Sequence, residues 1–377
     1  MKIYFVRNSC YFHRAKIFYI IVEKIKNMKT EKHLIFCALT FTLFIFSFNL
    51  TAQNNEYKLA TVAFYNLENL FDTVDNEGVR DTEYTPSGEK KWDYDKYQEK
   101  LSNLSLVISR IGDELSPLPP TILGVSEIEN RDVLEDLINT PKLKPYNYGI
   151  VHEDSPDRRG IDVALLFQKD IFKVTNQRAV PLKIEDKEDF ASRDQLVVSG
   201  ILDNEKVHFI VNHWPSRYGG EKRSRPLRIQ AAKLCRTIID SIMQVEEDPK
   251  IIVMGDFNDD PIDNSMKKHL NTSDEKNNLS EKELYNPMLK LHEQGLGTLA
   301  YRDQWNLFDQ LILSKALIGD DRNTYKLYKT KIFNRDFVIR QNGRYKGYPK
   351  RTHAAGIYLA GYSDHLPVYL FLIKKAD

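Results

Sequence analysis

Short apolar runs rich in β-branched residues recur along the chain, and most of them end in a polar residue. Residues 59–65, 121–126, 161–167, 196–198, 207–211, 251–254, 307–313 and 368–373 read as strands. Runs of this length, bounded by Gly, Asp, Asn or Pro, are what buried strands look like in sequence. Between them the period changes. Tyr97, Leu101, Leu104, Ile108 and Ile111 recur at helical spacing, and so do Leu227, Ala231, Leu234, Ile238 and Ile242. These spacings predict helices over 97–111 and 226–245. A shorter helix is predicted at 132–138, a loop at 73–92, and a long polar surface insertion at 262–300. Strands alternating with helices predict an α/β fold. With no internal repeat and no Ser/Pro-rich linker, 53–377 reads as one catalytic domain.

The strand ends carry the candidate chemistry. The run 251–254 is followed by Gly255-Asp256-Phe257-Asn258. Alternate residues of a strand share a face, so Asp256 and Asn258 are expected to point the same way at the carboxyl end. That end is where ligands gather in α/β sheets. A carboxylate beside an amide suits taking a proton from a water while holding it in line. In isolation, Gly-Asp-x-Asn more often marks an Asx turn. Here it does not stand alone. Asn66, Glu68, Glu127, Asp162, His213, Asp309, Asp364 and His365 also sit at strand ends or inside apolar runs. Burying such groups is costly unless they are paired or bind a metal. Carboxylates with few His and no clustered Cys favour Mg²⁺ or Mn²⁺ over zinc. The chain has no Walker or dinucleotide phosphate loop and no Gly-x-Ser-x-Gly elbow.

Composition changes this picture at the N-terminus. The chain has 377 residues, 42% hydrophobic and 28% charged, with a formal net charge of +1. Residues 1–52 hold eight Lys/Arg and two Asp/Glu, so the remainder carries 46 basic and 51 acidic residues, a net of −5. Met28 starts a charged segment, 34–50 is an almost unbroken apolar run, and Thr51-Ala52-Gln53 offers small residues for cleavage. This is the form of an export signal, with a mature end near Gln53 and a periplasmic or secreted protein as the consequence. A retained run would instead anchor the chain in a membrane. With Cys10 and Cys37 in the removed part, Cys235 stands alone and is expected in a helix core.

Taken in order, the motifs resemble the endonuclease/exonuclease/phosphatase superfamily, the DNase I-like fold. Asn66-Leu67-Glu68 resembles its opening Asn-x-Asp/Glu motif, Ser126-Glu127 its metal-binding Glu, and Asn212-His213 its first catalytic His. Gly255-Asp256-Phe257-Asn258, Phe308-Asp309-Gln310 and Ser363-Asp364-His365 resemble the later signatures. The resemblance implies a four-layer α/β sandwich, two mixed β-sheets face to face with flanking helices. It implies metal-dependent phosphoester hydrolysis, with Glu127, Glu68 and Asp364 holding Mg²⁺ or Mn²⁺. Asp256 would be the general base, with Asn258 and Asn66 orienting phosphate oxygens. His213 and His365 would stabilise charge, with Asp309 fixing the tautomer of His365 and Asp162 that of His213. Arg193 and Asn212 are further expected substrate contacts.

Substrate class rests on one local feature. Residues 322–351 contain ten Lys/Arg, one acid and six aromatics, in a body that is otherwise acidic. Cations contact phosphate backbones and aromatics stack on bases. Arg340, Arg344 and Lys346 are accordingly expected at a nucleic-acid surface, and a second basic stretch, 217–228, follows His213. An exported nuclease acting on DNA is the reading these residues favour. The alternatives are an inositol-phosphatase-like or sphingomyelinase-like enzyme of the same superfamily, or a non-catalytic nucleic-acid-binding module.

Overall fold

The computed structural model describes residues 56–185 and 187–376. The apolar run 34–50 and the cleavage site at 51–53, on which the export expectation rests, lie outside the described residues. Leu59–Lys374 forms a compact unit, and everything that follows concerns it. In chain order its principal elements are β1 (Tyr57–Leu70), α1 (Tyr94–Ile108), β2 (Ile122–Ile128), α2 (Arg131–Asn139), β3 (Tyr148–His152) and β4 (Asp162–Gln168). Then come β5 (Phe172–Val180), β6 (Gln195–Leu202), β7 (Glu205–His213), α3 (Glu221–Val245) and β8 (Lys250–Asp256). The last third holds β9 (Thr272–Ser273), β10 (Leu284–Tyr285), α4 (Met288–Glu293), β11 (Leu299–Tyr301), β12 (Gln304–Asn306) and β13 (Asp309–Leu313). It closes with β14 (Lys326–Ile332), β15 (His353–Ala354), β16 (Ile357–Tyr358) and β17 (Val368–Lys375).

Two mixed sheets result, a six-stranded one ordered β14-β17-β1-β2-β4-β3 and a seven-stranded one ordered β5-β6-β7-β8-β13-β10-β9. Strands β1 and β2 run parallel, as do β7 and β8, while β2–β4 and β8–β13 are antiparallel. The continuous apolar runs have a direct cause: both faces of these strands are buried. Val62 and Phe64 of β1 meet Phe209, Ile252, Met254 and Leu311 of the other sheet. The alternate residues Ala63 and Tyr65 face Leu101, Leu104, Leu134 and Leu137 of α1 and α2. On the far side, Ile251 and Val253 pack on Ala231, Cys235 and Ile238 of α3. The order is therefore helix, sheet, sheet, helix, the DNase I-like sandwich. Gly124 marks how close the sheets come, since a Cβ there would lie 2.4 Å from Met254 Sδ. Truncating Phe64, fully buried between the sheets, would cost about 3–5 kcal/mol.

Local sequence sets the helix starts. Asp93 Oδ1 accepts from Lys96 N at 3.0 Å and Asn130 Oδ1 from Val133 N at 3.0 Å, capping α1 and α2, each cap worth about 1 kcal/mol. α1 thus begins three residues before the predicted Tyr97. α3 begins five residues before Pro226, which occupies its second turn rather than its first. The predicted insertion at 262–300 is not a surface loop throughout. Met266, Leu270, Leu284 and Met288 are fully buried, and β9 and β10 extend the second sheet. Its apolar residues are too sparse among Asn and Lys to show a period.

Candidate active site

Four strand ends converge on Asp256, the last residue of β8. Parallel pairing places His213 of β7 opposite Asp256, and antiparallel pairing places Asp309 of β13 opposite it on the other side. Gly255 permits this approach, because a Cβ would sit 2.3 Å from the Asn212 carbonyl oxygen. From the first sheet, Asn66 Nδ2 donates to Asp256 Oδ2 at 3.1 Å. His213 Nε2 lies 3.7 Å and His365 Nε2 3.9 Å from the same oxygen. Glu127 Oε1 is 3.9 Å from His213 Nε2. One carboxylate oxygen is thus ringed by an amide and two imidazoles.

Backbone irregularity aims these side chains. Pairing slips between Asn66 and Leu70 on β1 and between Ser126 and Ile128 on β2. At those slips Glu68 (φ 50°) and Glu127 (φ 58°) adopt left-handed backbone, a conformation that costs of order 1–3 kcal/mol outside glycine and persists where the surroundings enforce it. Asn258 (φ 51°) does the same just after β8. Its backbone N–H donates to Asp256 Oδ1 at 3.0 Å, so an Asx turn and the site are one structure. Asn258 therefore does not share a strand face with Asp256. Its side chain donates instead to the Trp214 carbonyl at 3.1 Å.

Electrostatics separates the two imidazoles. His365 Nδ1 pairs with Asp309 Oδ2 at 2.7 Å. Burial opposes charging, but Asp309 and then Asp256 outweigh it and raise the His365 pKa well above its ordinary value. His213 goes the other way, held neutral by burial and by the charges of Arg193 and Arg159. Burial, reinforced by Asp309 and Glu127, pushes Asp256 up to about 7 although His365 opposes the rise. An acceptor near neutrality, beside one charged and one neutral imidazole, suits proton removal from water.

The other expected residues fall into two groups. Glu68 and Asp364 share a second cluster with Lys100 and Arg351. Thr352 N donates to Glu68 Oε2 at 2.6 Å, and Arg351 donates to Asp364 Oδ2 at 2.6 Å. Burial and then the Asp364 charge push Glu68 up to about 7, and burial pulls Lys100 down to about 8 despite the Glu68 charge. Three expectations are corrected. Asp162 does not orient His213: its carboxylate binds His152 Nε2 at 3.0 Å and Ser155 N at 2.8 Å, and His213 Nδ1 has no partner among the described residues. Arg193 is not a substrate contact. Its guanidinium is taken up by Asp157 at 2.9 Å and by the carbonyls of His213 and Trp214. Asn212, fully buried, bonds to Ile210, Met254 and Trp214 and so braces the strand ends. Sequence reasoning missed Lys100, which looked like one more polar residue on a helix. It also missed a role for Arg159, half-exposed, whose charge reaches His213.

The donor set fits a hard divalent cation. Among the described residues Glu127 Oε1 has no hydrogen bond, Glu68 and Asp364 each keep a weakly engaged oxygen, and the fully buried Lys100 senses all three carboxylates. Asp256, Asp309 and His365 also bring ligand atoms within 4.8 Å of one another; there the short Asp309–His365 pair takes up Asp309 Oδ2 and His365 Nδ1, and Asp309 Oδ1 has no partner among the described residues. All the remaining donors are oxygens, as Mg²⁺ and Mn²⁺ prefer.

A two-sheet sandwich with this acid, amide and imidazole set at one end defines the DNase I-like class. The profile of the Endonuclease/Exonuclease/phosphatase family matches residues 61–374. The chain belongs to that family, whose members hydrolyse phosphoester bonds, in general with divalent metals. Among solved structures, truncated Caenorhabditis elegans TDP2 is 15% identical, covering 83% of this chain and 97% of its own, with a TM-score of 0.51. D. rerio TDP2 complexed with a single-strand DNA product is 12% identical, covering 84% and 99%, also at 0.51. An endonuclease/exonuclease/phosphatase family protein from Bacteroides thetaiotaomicron is 13% identical, covering 85% and 97%, at 0.49. At these identities the likeness is one of fold. No curated protein sequence matches the chain.

Proposed function

We propose that this protein is an exported, divalent-metal-dependent phosphodiester hydrolase that cuts DNA. One observation carries the substrate class. The loop 333–352 runs up to Arg351, which grips Asp364 beside catalytic His365. Four of its cations, Arg340, Arg344, Lys346 and Lys350, have no carboxylate partner among the described residues. Arg340 and Arg344 flank the ring of exposed Tyr345 at 5.8 and 5.6 Å. Arg340, Lys350 and Arg351 line a depression of about 440 Å³. Unpaired cations beside an exposed ring suit a polyanion with stacking bases. A protein of the same fold, D. rerio TDP2, is seen with a single-strand DNA product, so the sandwich is able to seat such a chain. The second basic stretch does not contribute in the way expected. Arg217 pairs with Asp259, Asp260 and Asp263, and Arg228 is buried against Asp259.

The chemistry follows from the geometry. Asp256, steadied by Asn66 and the Asn258 N–H, takes the proton of the attacking water. His365, kept charged by Asp309, faces the developing oxyanion or the leaving oxygen. Neutral His213 offers Nε2 on the opposite side. Glu127, with the weakly engaged oxygens of Glu68 and Asp364, would hold the divalent ion, which when bound supplies positive charge to the phosphate.

Purified protein lacking residues 1–52 is expected to convert plasmid DNA with Mg²⁺ or Mn²⁺ and to stop with EDTA. Replacing Arg340, Arg344 and Lys346 by Ala should raise KM for DNA. The log–log salt slope should flatten by about 0.9 for each phosphate that is no longer neutralised. Turnover of a small phosphodiester should not change. DNA left intact while a phospholipid or sugar phosphate is hydrolysed would refute the DNA reading. Export is checked by the N-terminal mass of protein recovered from the periplasm or medium, where an intact 34–50 segment would mean an anchored protein.

A further inference from the structure

On the face of the second sheet that α3 covers, away from the catalytic strand ends, three neighbouring strands carry a row of polar side chains. Register sets Asn176 of β5 and His208 of β7 on either side of Ser199 of β6. Directly paired residues share a face, with Cβ atoms about 4.5–5.5 Å apart. Ser199 Oγ lies 2.7 Å from His208 Nδ1, and His208 Nε2 lies 3.1 Å from Oε2 of Glu246, the residue that ends α3. Burial opposes it, yet hydrogen bonds from Lys206 and His208 hold the Glu246 carboxyl below its ordinary value, so it is ionised. An ionised carboxylate only accepts, so the proton of the neutral imidazole sits on Nε2. Nδ1 is then the basic nitrogen, and the Ser199 hydroxyl donates to it. A hydroxyl on a base that a third group orients is the arrangement of an activated nucleophile. His208 is buried, whereas Ser199, 8% exposed, opens onto a depression of about 300 Å³ that Asn176, Arg178, Lys206 and Ser241 also line. The phosphoester site does not reach here: His208 stands five residues before His213 on β7, about 17 Å along the strand.

We propose that Ser199, His208 and Glu246 form a second active centre, one that hydrolyses short carboxylic esters. Ser199 Oγ adds to the ester carbonyl carbon while its proton passes to His208 Nδ1, and Glu246 steadies the imidazolium. Collapse of the tetrahedral adduct breaks the bond to the alcohol oxygen, which leaves with the proton from Nδ1. Water then adds to the acyl-serine, giving a proton to His208. The acid departs as Ser199 Oγ takes that proton back. The carbonyl oxygen needs a donor while it carries charge. Asn176, beside Ser199, is exposed, and its side chain has no hydrogen-bond partner among the described residues. Its amide is that donor, and Arg178, two residues on, adds positive charge. A volume of about 300 Å³ is the lower end for a ligand pocket, which restricts the site to a small acyl group.

In EDTA, which silences the phosphoester site, the purified protein should release p-nitrophenol from p-nitrophenyl acetate with a burst of about one equivalent. A fluorophosphonate should label the protein at Ser199, as read by peptide mass spectrometry. Ser199→Ala and His208→Gln should lose the burst and the label, with ester hydrolysis falling by about 10²-fold or more. Asn176→Ala, at an exposed position where folding is not at risk, should slow ester hydrolysis by about 10²-fold. Ser199→Ala should keep native circular dichroism and wild-type phosphodiester turnover with Mg²⁺, since it touches neither a metal ligand nor a strand end. Ester hydrolysis that survives unchanged in Ser199→Ala overturns the second centre. Absence of a label at Ser199 in the wild type overturns it equally, and the Ser199–His208–Glu246 line then only ties β6 and β7 to α3.

Discussion

Two sets of buried charges lie in one sandwich and are balanced in opposite ways. Behind β8, Arg228 is fully buried with its Nε 2.5 Å from Asp259, and Arg217 adds contacts to Asp259, Asp260 and Asp263. Near β7, Arg193 meets Asp157. Burial alone would raise the Asp157 pKa, yet Arg193 and Arg159 hold it below the ordinary carboxylate value. At the strand ends Asp256 and Glu68 are as deeply buried, but each has another acid among its neighbours and is pushed up to about 7. Every acid of the first set has an arginine partner, although burial still raises Asp259 and Asp260 above the ordinary carboxylate value. The second is short of positive charge, the imbalance that a cation and a phosphoryl group would exploit. Burial of a charged residue is therefore uninformative by itself, and what faces it decides between framework and site.

The comparison breaks most visibly at Arg228. Arg228→Ala removes the closest partner of buried Asp259 and leaves it only Arg217 at 3.3 Å and the Ser265 hydroxyl, at a cost of up to about 3–5 kcal/mol, a large part of a typical stability of about 5–15 kcal/mol. Thermal unfolding should show that loss, and activity per folded molecule should stay near wild type. A variant as stable as wild type would mean that the pair is not framework.

Next in size is the site itself. Asp256→Asn, His213→Ala and His365→Ala should each lose about 10²-fold or more in kcat, equivalent to about 2.7 kcal/mol of barrier. Their circular dichroism should stay native. Wild-type rates in all three would remove the site from this end of the sandwich.

What the chain reveals unaided follows the same division. The strands were legible because both of their faces are buried, which writes β-branched runs into the sequence. Asn66, Glu127, His213, Asp256, Asp309 and His365 stood out because each interrupts or ends such a run. Pairing was not legible. Nothing local says that Asp162 meets His152, that Arg193 caps two carbonyls, or that Arg217 and Arg228 turn inward to Asp259. Those partners lie 10 to 42 residues away, and register and loop paths choose them. Asn258 was half-read: the spacing from Asp256 was right, but the strand ends at Asp256, two residues too early for a shared face. The buried stretches within 262–300 were hidden by their polar neighbours.

The smallest effect is also the sharpest test of the imbalance. Asp256 has a folded pKa near 7 and an unfolded value near 4. Between those values the folded state binds the extra proton, so this carboxyl stabilises fully below about pH 4 and loses that stabilisation as pH rises through 7. His365, also raised, contributes with the same sign above its ordinary value. His353 runs the other way, pulled down to about 4 by burial and nearby lysines. Its stabilisation is complete above about 6.5 and is lost only as pH falls below that. The window from pH 6.5 to 8 therefore excludes the His353 effect. In EDTA, the Tm of the wild type should fall across it by a few degrees. Asp256→Asn should fall less and be the more stable protein at pH 8, since it carries no carboxylate there to desolvate. Saturating Mg²⁺ should raise the wild-type Tm at pH 8 and shrink the difference between the two. Parallel Tm curves for wild type and Asp256→Asn would show that the strand-end carboxylates are as well balanced as those around Arg228.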